Sequence, residues 1–202
     1  MKENKKTKTR TRLTPEARKN QLLDVSKQMI IGDGLQAFSL EALARAAEVS
    51  SPLVYKYFDS RVDTLQSLLV REYDIYVQRL TEEVAVAENF EAIVRLNIVS
   101  NFDHYAPGNI IPILESQPEI AIAIRKESEK HGQQIARYLV RKTANTYNLT
   151  PRRAELVVSM SSGASIAAAQ YAALGRMNRA QAIDLAFSYI MAGMSQAASD
   201  PA

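Results

Sequence analysis

The stretch from Ser39 to Leu65, SLEALARAAEVSSPLVYKYFDSRVDTL, constrains this chain more than any other. Ser39 is placed to cap a helix whose inner face is Leu40, Leu43, Ala44 and Ala47. Ala46 to Val49 makes a turn, and Ser50 caps a second helix that tolerates Pro52 because no intrahelical N–H is lost in a first turn. Val49, Val54 and Phe58 are the expected buried anchors. Asp59-Ser60 ends that helix, and Ser60-Arg61-Val62-Asp63 is a capping box that opens a longer one. Two short helices joined by a tight turn form a helix-turn-helix.

The rest of the chain is also helical in period, and no run of alternating β-branched residues competes. Thr14-Pro15-Glu16 opens a first helix, with Leu22, Val25, Met29 and Ile30 as its apolar stripe, closing near Gly32-Asp33-Gly34. The helix that begins after Ser60 should run to about Ala87. Further helices are expected near 89–106, 110–115, 118–146, 151–174 and 178–197, separated by Pro107-Gly108, Pro112, Pro118, Asn148 to Pro151, and Gly175. The expected fold is all-α, about nine helices. A basic disordered arm (1–13) precedes a three-helix head (14–60), and a helical body (61–202) follows without a flexible linker.

Charge is distributed unevenly. In a chain of 202 residues and net charge +3, residues 1–20 carry +6, so the rest is acidic on balance. A basic arm suits a polyanion, although such a tail can equally be a solvated one. There is no cysteine, so disulfides, thiolate metal sites and cysteine nucleophiles are excluded, and only His104 and His131 remain for histidine chemistry. No leader pattern and no membrane-spanning apolar run is present, so a cytoplasmic, soluble protein is expected, with no cofactor, no metal and no membrane partner.

A helix-turn-helix presents its second helix to the major groove, while the first crosses the backbone. Ser51 in the first turn can meet a base edge or a phosphate, and Lys56, one turn on beside Tyr55, can donate to guanine or phosphate. Tyr57 can reach a phosphate, Arg61 adds a cation beside free backbone N–H groups, and Ser39 starts the crossing helix. The candidate DNA-contacting set is therefore Ser39, Ser50, Ser51, Pro52, Leu53, Tyr55, Lys56, Tyr57 and Arg61. An ordinary helix corner would explain Phe58, and Tyr55 as core, but explains Lys56 and Arg61 less well.

Residues 16–70 resemble the DNA-binding head of the tetracycline-repressor (TetR) family of bacterial transcription regulators. The resemblance rests on Leu22-Leu23-Asp24, Gly34, Ser39-Leu40-Glu41-Ala42-Leu43-Ala44, Val49-Ser50, Val54-Tyr55-Lys56-Tyr57-Phe58 and Ser60-Arg61. It implies a homodimeric regulator, a repressor released by a small-molecule effector from a palindromic double-stranded operator. Four positions depart from the pattern. Glu48 stands in the turn where glycine is usual, so the turn should carry strain. Leu53 replaces a small polar residue and could meet a thymine methyl, Ile30 replaces phenylalanine, and Arg61 replaces lysine.

For the body the resemblance implies an effector cavity, with candidate lining groups Phe102, His104, Tyr105, Tyr138, Gln170 and Tyr171; each taken singly could be plain core. Glu115 and Arg125 could anchor a charged effector or pair at the surface. The last two helices would pair with their copies, with Val157, Ser161, Ala164, Ala168, Ile183, Phe187, Ile190, Met191 and Met194 as candidate interface, unless they pack within the monomer. An enzyme lacks support: there is no HExxH, phosphate loop or G-x-S-x-G elbow, and Ser100, Asp103 and His104 are the nearest approach to a triad. A helical protein-binding adaptor with non-specific DNA affinity is the alternative function.

Overall fold

A computed structural model of the chain describes residues 13–199, and of residues 123–134 the helical backbone alone. The expected basic arm, Leu13 apart, lies outside the described residues, as do the side chains of Arg125 and His131. Every regular element among the described residues is helical: α1 (Pro15–Asp33), a 3₁₀ turn (Leu35–Ala37), α2 (Leu40–Ala46), α3 (Ser51–Tyr55), α4 (Arg61–Ala85), α5 (Phe90–His104), α6 (Ile110–Glu115), α7 (Pro118–Tyr147), α8 (Pro151–Ala173) and α9 (Arg179–Ser199). None of these helices is long and apolar enough to cross a membrane. The chain divides into two compact units between Thr64 and Leu65, one turn into α4.

In the first unit, α1 starts as its sequence requires, with Thr14 Oγ1 accepting from the Ala17 N–H at 3.2 Å and Pro15 in the first turn. Gly34 stops it with a φ of +85°, its N–H returning to the Ile30 carbonyl. The buried face is Leu22, Leu23, Ser26 and Ile30, with Val25 and Met29 only half-buried. Ser26 can occupy this face because its hydroxyl donates to the Leu22 carbonyl at 2.8 Å. The core is completed by Leu35, Phe38, Leu40, Leu43, Val54 and Phe58, each almost wholly buried. At about 1.5–3 kcal/mol per buried large apolar side chain, Val54 and Phe58 hold a helix as short as α3 that could not stand alone. Ile30, 1% exposed, fills its core position.

In the second unit, Asn89 caps α5 through the Ala92 N–H, and Thr150 caps α8 through the Arg153 N–H. One core cluster joins three helices: Val94, Ile98 and Phe102 of α5, Ala169 of α8, and Ala182, Ile183, Ala186, Ile190 and Met194 of α9. Small residues on α8 let α5 and α9 approach it. Polar ties fix the register at the periphery. Asp103 takes Arg179 at 2.6 Å and Arg79 at 3.5 Å, and Arg95 meets Asp184 at 2.8 Å while lying over the Phe187 ring.

Candidate nucleic-acid interface and body cavity

The turn between α2 and α3 is built from its hydrogen bonds. The N–H of Val49 returns to the Ala44 carbonyl at 3.0 Å and that of Glu48 to the Arg45 carbonyl at 3.2 Å, the pairing that closes a helix with a left-handed residue. That residue is Glu48, at φ +53°. A glutamate thus holds a conformation that favours glycine, and the strain expected from the sequence is present in the backbone.

On α3, Val54 is buried, Pro52, Tyr55 and Lys56 are exposed, and Ser51, Leu53 and Tyr57 are half-buried. This is the division a reading helix requires: one face in the core, the other outward. Ser50 occupies the cap position with extended backbone, and its side chain makes no capping hydrogen bond. Ser39 does cap: its Oγ accepts the Ala42 N–H at 3.1 Å, which fixes the start of α2.

Two candidate residues have tasks that the sequence did not suggest. Arg61, expected to clamp phosphate, instead donates Nε to the Phe38 carbonyl at 3.1 Å and a terminal nitrogen to the Leu35 carbonyl at 2.9 Å. It closes the carbonyl end of the 3₁₀ turn, because a planar fork matches two neighbouring carbonyls where an ammonium would not. Tyr55, with 47% of its surface exposed, donates its hydroxyl to Glu41 Oε1 at 2.9 Å, joining α3 to the first turn of α2. The hydrogen bond to Glu41 raises the Tyr55 phenol above its usual range. Hydrogen bonding from its own backbone, then from Tyr55, lowers the Glu41 carboxyl. Glu41 escaped the sequence reading because the link spans fourteen positions and follows no helical period.

Ser60 Oγ accepts the Asp63 N–H at 3.1 Å, one half of the expected capping box. The Asp63 carboxylate takes the N–H of Asp59, not that of Ser60.

The second unit contains two adjoining cavities. One, about 330 Å³, is lined by Val77, Leu80, Val84 and Ala85 of α4, Ile93 of α5 and Tyr138 of α7. The other, about 350 Å³, is lined by Tyr73, Tyr76, Asn101, His104, Tyr105, Val158 and Ser162. Val77, Asn97, Ile135 and Leu139 border both. Both volumes fall in the range of small-molecule sites. The polar one is cross-linked: Tyr73 donates to Glu115, His104 Nε2 lies 3.7 Å from the same carboxylate, Ser100 donates to the Tyr76 hydroxyl, and Asn101 to Ser165. Burial lowers the His104 pKa below 6.5, and the Glu115 charge opposes that shift only in part. Burial, then Glu115, raises Tyr73 well above the usual phenol.

Of the expected lining groups, His104, Tyr105 and Tyr138 face these cavities. Phe102 belongs to the core cluster, and Gln170 and Tyr171 are exposed on α8, Tyr171 under the Arg176 guanidinium at 5.5 Å. Glu115, expected to anchor a charged effector or to pair at the surface, pairs with Tyr73 and His104. Ser100, Asp103 and His104 hold separate partners (Tyr76, two arginines and Glu115) and form no relay.

Most of the expected interface residues contribute to the protomer's own packing, and Val157, Ser161 and Ile190 also line an open groove. Ile183, Ile190 and Met194 are buried in the protomer's own core, and Val157, Ala164, Ala168, Phe187 and Met191 pack against it; Ser161 is half-buried and bonded to the Val157 carbonyl. The exposed faces of the same helices are Leu156, Met160, Gly163, Ala167 and Leu174 on α8, and Leu185, Tyr189 and Ala192 on α9. A period does not say which of two apolar stripes faces inward.

Comparison with known proteins bears on the head directly. Residues 22–68 match the family model of bacterial regulatory proteins of the tetR family. The HTH-type transcriptional activator FasR of Mycolicibacterium smegmatis is 24% identical over 125 residues, which span 58% of this chain and 57% of that protein, little more than half its length. Among solved structures, the fatty acid degradation regulator FadR from Bacillus halodurans superposes with a TM-score of 0.64 at 16% identity, over 89% of this chain and 96% of that one. A TetR-like transcriptional regulator from Rhodococcus sp. RHA1 does so at 0.57 and 22%, over 91% and 99%. Such identities establish the shared all-helical fold, while the reading head is established by sequence. Residues 22–68 thus match the DNA-binding head of the tetR family of bacterial regulatory proteins, and the chain shares the all-helical fold of the solved regulators.

Proposed function

We propose that the chain is a homodimeric repressor that binds a palindromic operator through α3 and is released by a small molecule held in the body. The observation that carries this reading is the outward face of α3 and its C-cap, where Tyr55 and Lys56 are exposed and Ser51 half-buried, anchored from behind by Val54 and Phe58. A side chain set that is exposed, polar and rigidly backed is what base reading needs.

Dimerisation is supported by the exposed stripe on α8 and α9. Leu156, Met160, Gly163, Ala167 and Leu174 recur at spacings that keep them on one face, and Leu185, Tyr189 and Ala192 do the same. Leu156, Met160, Leu185 and Tyr189 are each 60–68% exposed, and an open groove of about 600 Å³ is lined by Leu156, Met160, Tyr189 and Gly193. A second copy would cover this surface, with small residues allowing close approach. Two heads would then meet half-sites about one helical turn apart.

Release is supported by the course of α4, which begins at Arg61 in the first compact unit and lines both cavities from Tyr73 to Ala85. A ligand that prefers one placement of this helix would shift the spacing of the two reading helices and lower operator affinity. Repression is the proposed output because an occupied operator blocks a promoter without any further contact surface. Operator binding implies action in the cytoplasm.

The test is selection of fragmented source-genome DNA by the full-length protein, with Lys56→Ala/Tyr57→Ala as control. Enrichment of a palindrome that the control loses supports the reading. Equal retention by both, or no retention, overturns it in favour of an adaptor. A reporter under the enriched promoter then separates repression from activation.

A further inference from the structure

The Glu41–Tyr55 pair places a negative charge where a DNA-binding surface ordinarily avoids one. Glu41 is exposed in the first turn of α2, and Tyr55 is exposed at the end of α3 next to Lys56. The 2.9 Å bond from the Tyr55 hydroxyl to Glu41 Oε1 brings the carboxylate to the outward face of the reading helix. Its own backbone N–H and the phenol keep it ionised, with its pKa below the usual 4.5. A carboxylate offers about four lone-pair sites, and the hydrogen bonds from its own backbone, Tyr55 and Ser39 leave at least one open.

Against a phosphate that charge is repelled. Against base edges its effect depends on sequence. Cytosine N4 and adenine N6 are donors in the major groove, whereas guanine O6/N7 and thymine O4 are acceptors that face a carboxylate unfavourably. We infer that Glu41, oriented by Tyr55, is a specificity-determining residue that accepts a hydrogen bond from the exocyclic amino group of one base in each half-site, cytosine before adenine, and rejects guanine and thymine there. This rests on the DNA-reading function proposed above. Stabilisation of α2 by an acid in its first turn is a separate effect, which would move the melting temperature and leave base preference untouched.

The experiment is in vitro selection from a randomised double-stranded library with four full-length proteins: the parent, Glu41→Ala, Glu41→Gln and Tyr55→Phe. The parent motif is expected to carry cytosine or adenine at one position of each half-site. Glu41→Ala should lose about 5-fold or more of that preference and bind guanine and thymine versions of the site more tightly than the parent. Glu41→Gln, which keeps size and hydrogen bonding if the alanine variant fails to fold, should move the same position toward adenine. Tyr55→Phe should weaken the preference at that position in part, because the charge stays and its anchor is lost. Unchanged weights at every position in both Glu41 variants, or an affinity gain equal on all sequences, overturns the assignment while leaving the function intact. A parent that selects no motif overturns the function and the assignment together.

Discussion

Arg61 donates its Nε to the backbone carbonyl of Phe38, 23 positions earlier, at 3.1 Å. With the second bond to Leu35 at 2.9 Å, the guanidinium ties the start of α4 to the segment that leads into α2. A cation placed near DNA thus has a structural task first. Arg61→Lys keeps the charge and loses the fork. It should lower head stability by about 1–3 kcal/mol, the range for hydrogen bonds from a charged group with some discount for exposure. Thermal unfolding beside operator titration checks this; a lysine variant as stable as the parent would leave phosphate contact as the residue's role.

Glu48 offers the opposite experiment. Its φ of +53° costs a non-glycine residue about 1–2 kcal/mol, so Glu48→Gly should stabilise the head by about 1 kcal/mol after the greater freedom of glycine in the unfolded chain is set against the gain. Denaturant titration measures it. A destabilised glycine variant would mean that the glutamate side chain contributes more than the strain removes.

His104 should make the body sensitive to acid. Burial lowers its pKa in the folded protein below the unfolded 6.5. Above about 6.5 both states are neutral and the full stability is present. As pH falls below that, the unfolded chain takes up a proton before the folded one does, so stability declines until the folded pKa is passed. His104→Asn should flatten the stability profile between about pH 7 and 5, while His131→Asn serves as the control. Parallel profiles for His104→Asn and the parent would place the acid sensitivity elsewhere.

Two apolar stripes on α9 predict opposite behaviours. Tyr189→Glu and Leu185→Glu, at 68% and 61% exposure, should leave the protomer folded and shift sedimentation toward monomer. Operator affinity would fall by well over 10-fold as paired half-site binding is lost. Ile190→Ala, at 3% exposure, should instead destabilise the protomer by about 2–5 kcal/mol. A Tyr189→Glu protein that sediments like the parent would put the two-fold contact on another face.

What the sequence determined by itself is what short-range chemistry decides. Thr14, Ser39, Asn148 and Thr150 stand at helix ends because capping and left-handed closure involve neighbours within four residues. The helix-turn-helix, the strain at Glu48 and two of the three expected anchors, Val54 and Phe58, were legible for the same reason, whereas Val49 is only half-buried. Tertiary structure decided whatever depends on partners far along the chain. The fork of Arg61 closes on carbonyls 23 and 26 positions away, and Tyr55 meets Glu41 across fourteen. Phe102 belongs to the core cluster, Tyr105 three positions on both packs against that cluster and lines the cavity, and His104 lines the cavity, so cavity and core could not be separated by composition. Most of all, α9 carries apolar residues on both of its faces. Periodicity measures spacing and has no sense of direction, so only the packing of α5 and α8 against Ile183, Ile190 and Met194 settles which stripe is core and leaves Leu185 and Tyr189 outside.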